Sequence, residues 1–268
     1  MNILLDSWST QVLYQQAPPS LPPHTASPID PTGLRLGTVL AAMAGVGVSS
    51  SDPWAVSYSQ PPITTAQLAG IDVYVSFTRY PSSPFAYSDD ELSVLQTWVG
   101  QGHGLLLLTN HGPFQHNPTS WPVNDKALAA KFGITLIAHG VTNADWMPMD
   151  LETAAPAFIA NKVQGIVAHD SCVIEIAGAH TRLAAFPTAA LAWNGTANVT
   201  PAHKNFAALV PYLQGNVIVV GNSGMFADYG TSAPSCGLAP MAHNLMFLLN
   251  CVGYLGGLST IPAAGVCP

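Results

Sequence analysis

The chain has 268 residues, of which 7 are Lys or Arg and 14 are Asp or Glu, so its formal net charge at pH 7 is −7. Charged residues make up only 8% of the sequence and hydrophobic residues 49%, whereas an ordinary globular domain is roughly a quarter charged. This composition excludes a disordered chain, and seven scattered cations cannot form the basic surface that nucleic-acid binding requires. No stretch approaches the ~20 apolar residues of a membrane span. We therefore expect neither a nucleic-acid nor a membrane partner.

The N-terminus and the cysteines bear on where the protein works. The first residues, MNILLDSW, lack the basic start and the long apolar core of a signal peptide. The sequence thus predicts a soluble protein that is either cytoplasmic or exported as a mature form without its leader. The four cysteines, Cys172, Cys236, Cys251 and Cys267, lack the close spacing of zinc ligands, and a Cys236–Cys267 disulfide is one alternative. No metal or cofactor is predicted, and the oligomeric state stays open.

The first part of the chain shows strand patterns around a proline-rich stretch. Asn2–Asp6 predicts a buried strand that ends in a carboxylate. The proline-rich residues 17–31 predict a surface loop, because proline removes backbone donors and fixes φ. The next predicted elements are a helix over Thr32–Val46, a strand over Trp54–Ser59, a short helical turn over Thr64–Ala69 and a strand over Ile71–Phe77.

The clearest local signal is a capped helix followed by a strand of leucines. Ser88 and Glu91 have the spacing of a capping box, in which each side chain bonds the other's backbone N–H. The apolar positions that follow lie on one helical face, and Gly100 and Gly102 end the helix. Leu105–Leu108 predicts a strand that is buried on both faces, as in the centre of a parallel sheet.

The second half has weaker patterns. The predicted helices cover Asn124–Phe132, Leu151–Lys162 and Met241–Leu255, and the predicted strands cover Ile134–Ala138, Cys172–Ile176, Arg182–Phe186, Ala190–Trp193 and Asn216–Gly221. Alternation of strands and helices predicts one α/β domain over residues 1–268, a three-layer sandwich with a mainly parallel central sheet. We expect an antiparallel extension in the second half and an insertion-like region over residues 120–210.

Two segments carry a resemblance to a known family. The stretch IDVYVSF, the helix SDDELSVLQTWVGQGHG and the strand LLLLTNHGPF resemble the middle of the class I glutamine amidotransferase-like superfamily, nearest to its trehalose-utilisation (ThuA-like) branch. The stretch GNVIVVGNSGMFADYG and the closing helix APMAHNLMFLLNCVGYL are similar to the end of that fold. The resemblance implies a flavodoxin-like or amidotransferase-like sheet, and it does not extend over residues 120–210.

The turn after the leucine strand departs from the family. In the catalytic members a cysteine nucleophile stands on this turn, and one branch often reads Cys-His-Gly-Pro there. This chain has Asn110-His111-Gly112-Pro113. Because asparagine cannot form a thiolate, the resemblance does not imply cysteine-based amide hydrolysis or glutamine amidotransferase activity.

Candidate site residues follow the predicted strands. Ligands of open parallel sheets bind outside the carboxyl ends of the strands. This rule selects Asp6 and Ser7 after the first strand, Thr78 and Arg79 after the third, Asn110 and His111 after the leucine strand, and Asn222 and Ser223 after the last. His111, Asp6 and Asn110 are the candidate catalytic residues, with the imidazole as the proton-transfer group. The candidate substrate-binding residues are Arg79, Ser7, Asn222, Ser223 and Trp8.

Each candidate also has a structural interpretation. Asp6 could cap the turn that follows it, and His111 could hold its own turn by bonding the backbone. Arg79 could form a solvent-facing ion pair with Asp89 or Asp90.

The resemblance implies an enzyme of hydrolase, lyase or isomerase type and does not choose among the three. It would act on a small polar substrate, with a carbohydrate derivative as one class, through His and Asp acid–base chemistry. One alternative is a non-catalytic binding or interaction module of the same fold. Another is a metal-dependent hydrolase that uses His111, His116 and Asp6.

Overall fold

A computed structural model describes residues 1–8, 43, 54–79, 81, 85–114, 120–141, 147–168, 170–226 and 239–259. The predicted loop 17–31, all of the predicted helix Thr32–Val46 except Met43, and His116, Cys236 and Cys267 lie outside these residues.

The described residues form thirteen strands and five α-helices. The strands are β1 (Asn2–Leu5), β2 (Ala55–Tyr58), β3 (Val73–Phe77), β4 (Gly104–Leu108), β5 (Ile134–Val141), β6 (Met147–Leu151), β7 (Ile166–Ala168), β8 (Ser171–Ile176), β9 (Thr181–Ala185), β10 (Ala192–Trp193), β11 (Asn198–Val199), β12 (Asn205–Tyr212) and β13 (Gly215–Val220). The helices are α1 (Thr65–Leu68), α2 (Asp89–Gly100), α3 (Asp125–Ala130), α4 (Ala157–Ala160) and α5 (Ala239–Leu255). The protein is therefore of the α/β class, with a large sheet and little helix.

The parallel half of the sheet consists of five strands in the order β2-β1-β3-β4-β13. The strands β3, β4 and β13 are in register, with Phe77 opposite Leu108 and Leu108 opposite Val220. Because these strands run in the same direction, the residues after them meet at one edge of the sheet, which we call the carboxyl edge. Asp6, Thr78 and Thr109 directly follow β1, β3 and β4 and begin this edge.

The antiparallel half continues the same sheet from β13. β12 pairs antiparallel with β13, and the order then runs β12-β8-β5-β10-β11. A branch leaves this order at β12, in which β9 pairs with β12, β6 with β9 and β7 with β6. The expected extension is thus present, and its eight described strands outnumber the five parallel ones. The described part of residues 120–210 supplies most of these strands.

The two long helices cover opposite faces of the parallel half. Leu245, Leu248, Leu249 and Val252 of α5 belong to one hydrophobic core, together with the side chains that β1, β3 and β4 turn to that face. The predicted apolar stripe of α2 belongs to a second core on the other face, with α3 beside it. Each fully buried leucine in these cores contributes about 1.5–3 kcal/mol relative to exposure. None of the helices in the described residues has the length and hydrophobicity needed to cross a bilayer.

The α2 N-terminus forms the predicted capping box. The Glu91 N–H donates to Ser88 Oγ at 3.2 Å, and the Ser88 N–H donates to Glu91 Oε2 at 2.9 Å. We expect Ser88→Ala to lower the free energy of unfolding by about 1 kcal/mol, because an orphan N–H loses its acceptor. Ser93→Ala is the control, since the Ser93 hydroxyl only donates to the Asp89 carbonyl on the exposed face of α2. Urea unfolding measures the free energy of unfolding of both variants, and an equal loss in the two would contradict the prediction.

Two predictions for the second half are wrong in detail. The helix expected over Leu151–Lys162 is reduced to α4, because Leu151 ends strand β6 and Pro156 precedes the first helical residue. The strands β6, β7, β11 and β12 were not predicted, although residues Phe206–Val210 of β12 are all buried. An alanine-rich run carries no clear strand periodicity, and its burial comes from neighbours on both sides.

Candidate functional site

A buried arginine organises the carboxyl edge. Arg79 has no solvent exposure, and its Nε donates to Asp6 Oδ2 at 2.7 Å while its Nη2 donates to Glu91 Oε1 at 2.9 Å. The guanidinium carbon lies 3.5 Å from the centroid of the Tyr87 ring and 5.1 Å from that of the Trp8 ring. Its buried Nη1 has no acceptor among the described residues. The solvent-facing ion pair with Asp89 or Asp90 is therefore not formed, and both of those residues are exposed.

Asp6 is bound on both oxygens. Its Oδ1 accepts the Trp8 N–H at 3.0 Å, so it caps the turn after β1, and its Oδ2 accepts the Tyr87 hydroxyl at 3.0 Å as well as Arg79 Nε. Burial and, after it, the charge of Asp6 raise the pKa of Tyr87, so this phenol remains a protonated donor. These contacts favour a positioning role for Asp6 over a role as a free base.

Glu91 joins the α2 cap to the same cluster. Burial alone would raise the pKa of Glu91, but hydrogen bonds from Arg79 and from backbone N–H groups lower it below the ordinary value. Burial alone would lower the pKa of Arg79, but the charge of Asp6 and the contacts with Tyr87, Tyr74 and Glu91 raise it. Both groups therefore stay ionised at neutral pH, and one cation faces two carboxylates.

A further buried carboxyl group, Asp125, links two strand ends. Its Oδ2 accepts the hydroxyl groups of Thr78 and Thr109, the latter at 2.9 Å, and its Oδ1 accepts the Arg79 N–H at 3.1 Å. Thr78 has φ of 54°, which is unusual for a β-branched residue. Strain of this kind concentrates at functional sites and is held by the surrounding contacts.

The His111 ring is fixed in its turn. Nδ1 lies 2.6 Å from the Gly112 carbonyl oxygen, and the ring stacks on Phe114 with centroids 4.6 Å apart and meets the Trp121 ring edge-on at 6.1 Å. The His111 N–H donates to Asn110 Oδ1 at 2.8 Å, so Asn110 also stabilises the turn. Because a carbonyl oxygen only accepts, Nδ1 carries a proton in this contact, and in a neutral ring Nε2 is then the nitrogen without one. His111 is thus held by the backbone, and its tautomer is defined.

The remaining candidates lie at the ends of other strands. The Ser7 N–H donates to Ser59 Oγ at 3.0 Å, beside β2. Asn222 donates through Nδ2 to the Asp170 carbonyl and accepts the Met225 N–H on Oδ1 at 2.6 Å, and the buried Ser223 precedes the short 3₁₀ turn Gly224–Phe226. The structure therefore joins Asp6 and Arg79 directly and links them through Asp125 to Thr109, next to His111. The Asn222 side chain bonds instead to Asp170 before β8 and to Met225 in its own turn.

Several members of the cluster were not predicted from the sequence. Glu91 was recognised only as a helix cap, and Tyr87 and Asp125 were not recognised as site residues. The position of Tyr87 immediately before the capped helix is a usable signal, because α2 starts at the carboxyl edge. Asp125 gives no such signal, since a loop separates it from the strand ends that it joins.

No group of three or more His, Cys, Asp or Glu side chains in the described part of the chain has the arrangement of a metal site. Asp6 is bound by Arg79, and His116, which the metal-dependent alternative also uses, lies outside the described residues. The described thiols are buried: Cys172 and Cys251 have no solvent exposure or almost none, and burial raises the pKa of each. A buried neutral thiol is a poor nucleophile.

The fold and this edge define an α/β protein with a buried ion-pair cluster at the carboxyl ends of its parallel strands. No protein-family model matches the chain, and no curated protein matches it in sequence.

Solved structures show the fold relationship. The mmIFT52 N-terminal domain has a TM-score of 0.64 at 13% identity, and the match covers 95% of this chain and 97% of that one. A ThuA-like protein from Bacteroides uniformis has a TM-score of 0.53 at 11% identity over 95% of this chain and 91% of that one. Cytoplasmic protein STM3548 from Salmonella typhimurium has a TM-score of 0.54 at 12% identity over 82% and 86%. At such identities the likeness concerns the fold alone.

Proposed function

We propose that the chain is an enzyme that acts on a small, uncharged polar molecule at the carboxyl edge, with His111 as its proton-transfer group. The reaction would be of hydrolase, lyase or isomerase type, and a carbohydrate derivative is the substrate class that we favour. Asp6 and Asn110 serve as positioning residues in this proposal, because their side chains hold Arg79 and the His111 turn.

One observation carries the proposal, namely the fixed tautomer of His111. The hydrogen bond from Nδ1 to the Gly112 carbonyl assigns Nε2 as the basic nitrogen, and stacking on Phe114 fixes the ring plane. A general base needs both a defined tautomer and a defined direction. The turn also stands at the edge where open parallel sheets bind their ligands. The same hydrogen bond also holds the turn, as the structural interpretation of His111 requires, so turnover of a His111 variant is the measurement that separates the two roles.

The charges of the cluster support an uncharged substrate. The single positive charge of Arg79 is already matched by two carboxylates, Asp6 and Glu91, so the cluster does not attract an anion. Aromatic rings beside a few polar groups, here Trp8 and Trp121, are typical of sugar-binding surfaces.

We also propose that the fold is the flavodoxin-like, amidotransferase-like three-layer sandwich and that Asn110 occupies the position of the cysteine nucleophile. The likeness to a ThuA-like structure and the helices on both faces of the sheet support the first part. The proposal implies a reaction without a thiol ester. Treatment with a thiol-alkylating reagent should then leave turnover intact.

The central test replaces His111. We expect His111→Gln to reduce turnover roughly 10²–10⁴-fold, because the general base is lost while the turn keeps a polar side chain. Substrates are first found by thermal shift and saturation-transfer NMR against neutral sugars, sugar lactones, sugar acids and amides, and turnover of each hit is then followed by proton NMR.

His180→Gln is the matched control for this test. The Nδ1 atom of His180 also lies against a glycine carbonyl, that of Gly178, at 3.0 Å, but on an exposed turn of the antiparallel half. Its turnover should equal that of the wild type. Full turnover in His111→Gln would remove His111 from the mechanism, and tighter binding of sugar acids than of neutral sugars would contradict the substrate class.

A second function, a non-catalytic binding or interaction module, is favoured by one specific observation. The Arg79 cation is paired inside the protein with both Asp6 and Glu91, as in a purely structural network. This reading predicts that no small molecule of the panel raises the melting temperature, whereas a protein partner co-elutes in size-exclusion chromatography. Stabilisation by a small molecule of the panel would instead support an enclosed pocket and contradict the module.

A further inference from the structure

Asp125 connects the two halves of the proposed site. One of its oxygens accepts hydroxyl groups from Thr78 after β3 and Thr109 after β4, and the other accepts the Arg79 N–H. The side chain is fully buried, and its donors come from the ends of two neighbouring parallel strands. A single carboxyl group therefore sets how these two ends lie relative to each other.

The residues on either side of this link belong to the proposed site. Thr109 directly precedes Asn110 and His111, and Arg79 holds Asp6. We propose that Asp125 is a positioning residue that fixes the His111 turn relative to Arg79 and Asp6, and that its hydrogen bonds rearrange when the carboxyl group takes up a proton. The importance of this role for turnover rests on the proposed function, whereas the link itself does not.

The hydrogen-bond inventory gives the reason for the rearrangement. An ionised carboxylate only accepts, so it can receive both threonine hydroxyls and the Arg79 N–H at once. A protonated carboxyl group has its own O–H donor, so one threonine hydroxyl must turn and accept. The turn at Thr109 therefore has two hydrogen-bond states that differ by one proton on Asp125.

The environment of Asp125 moves the pKa of its carboxyl group toward physiological pH. Burial raises the pKa of Asp125 to about 6, and the negative charge of Asp6 adds to the rise, while the hydrogen bonds from Thr78, Thr109 and the Arg79 N–H oppose it. The titratable groups that face it are Asp6 after β1, Arg79 after β3, Tyr87 before α2 and Cys172 in β8, with Lys126 beside it in α3. Asp125 should thus exchange its proton between about pH 5 and pH 7.

The sign of the stability effect follows from the raised pKa. A carboxyl group that binds its proton more tightly in the folded state than in the unfolded chain stabilises the fold fully below its unfolded pKa. That stability is lost as the pH rises through about 6. Asp125→Asn keeps the shape, because its Oδ1 can accept the Arg79 N–H and its Nδ2 can donate to the threonine hydroxyls, but it cannot titrate.

The experiment follows the free protein by NMR between about pH 4.5 and pH 7.5. We expect the Asp125 carboxyl carbon and the backbone amides of Thr78, Thr109 and Asn110 to share one inflection near pH 6. The inflection should persist in His111→Gln, where the neighbouring imidazole cannot contribute, and should disappear from the amides when Asp125→Asn is added to His111→Gln. The melting temperature of the wild type should fall by roughly 5 °C more than that of Asp125→Asn between the same limits.

Thr109→Val tests whether the Thr109 hydroxyl carries the effect of the Asp125 proton to the Asn110 amide. It removes one hydroxyl from Asp125 and should leave the carboxyl titration in place while the Asn110 amide loses its inflection. Thr135→Val, at an exposed position of β5, is the control, and it should leave both the Asp125 titration and the Asn110 inflection unchanged. No carboxyl titration between these limits, or an Asn110 inflection that survives Asp125→Asn in the His111→Gln background, would overturn the proposal. Loss of turnover in His111→Gln is a separate result, so the two proposals can fail independently.

Discussion

Replacing Arg79 with methionine is expected to lower the free energy of unfolding by about 3–5 kcal/mol, because it leaves Asp6 and Glu91 buried without a counter-charge. Both carboxylates are at most 2% exposed and lie within 2.9 Å of the guanidinium nitrogens. The loss measures the cost of unpaired buried charge and not the net value of the ion pairs, since burying three ionised groups is itself expensive. Urea unfolding monitored by circular dichroism gives the number.

Two further variants make the Arg79 prediction specific. Lys204→Met breaks an ion pair with Glu175 in which both side chains are about half exposed, and it should cost at most about 1 kcal/mol. Combining Arg79→Met with Asp6→Asn removes one of the stranded charges and should recover part of the lost stability. Similar losses for Arg79→Met and Lys204→Met would show that the buried cluster is not energetically special.

Gly112→Ala is expected to destabilise the fold by about 1–3 kcal/mol and to displace the His111 turn. A Cβ atom at this position would lie 2.4 Å from the Ala138 carbonyl carbon and 2.7 Å from the His139 backbone nitrogen, both in β5. Both atoms belong to backbone, in the irregular stretch of β5 between Ile137 and Val141, and backbone cannot move aside as a flexible side chain can. The turn must therefore shift, and the hydrogen bond from His111 Nδ1 to the residue 112 carbonyl shifts with it.

Gly165→Ala is the control for this prediction, because a Cβ there would meet no atom within 4 Å and the backbone needs no left-handed φ. Urea unfolding measures the stability of both variants, and the imidazole nitrogen signals of His111 report whether its tautomer survives. If Gly112→Ala matches the wild type in both measurements, then the close approach of the turn to β5 does not hold His111 in place.

Arg79 shows which features of the site the sequence could predict and which it could not. Arg79 was expected at the end of a strand, and it lies there, but its partners are Asp6 and Glu91, which are 73 and 12 residues away along the chain. An ion pair of this kind depends on which strands become neighbours. Nothing in the sequence near Arg79 distinguishes Glu91 from the adjacent Asp89 and Asp90 as the partner.

The sequence by itself determined the features that are encoded within a few residues. The capping box of Ser88 and Glu91, the apolar stripes of α2 and α5, and the doubly buried β4 all follow from local hydrogen bonds or from side-chain periodicity. Only the tertiary structure decided the burial of β12 and the convergence of Asp6, Arg79 and Asp125. The physical reason is that burial of an alanine-rich strand and pairing of distant charges depend on neighbours that the strand order supplies.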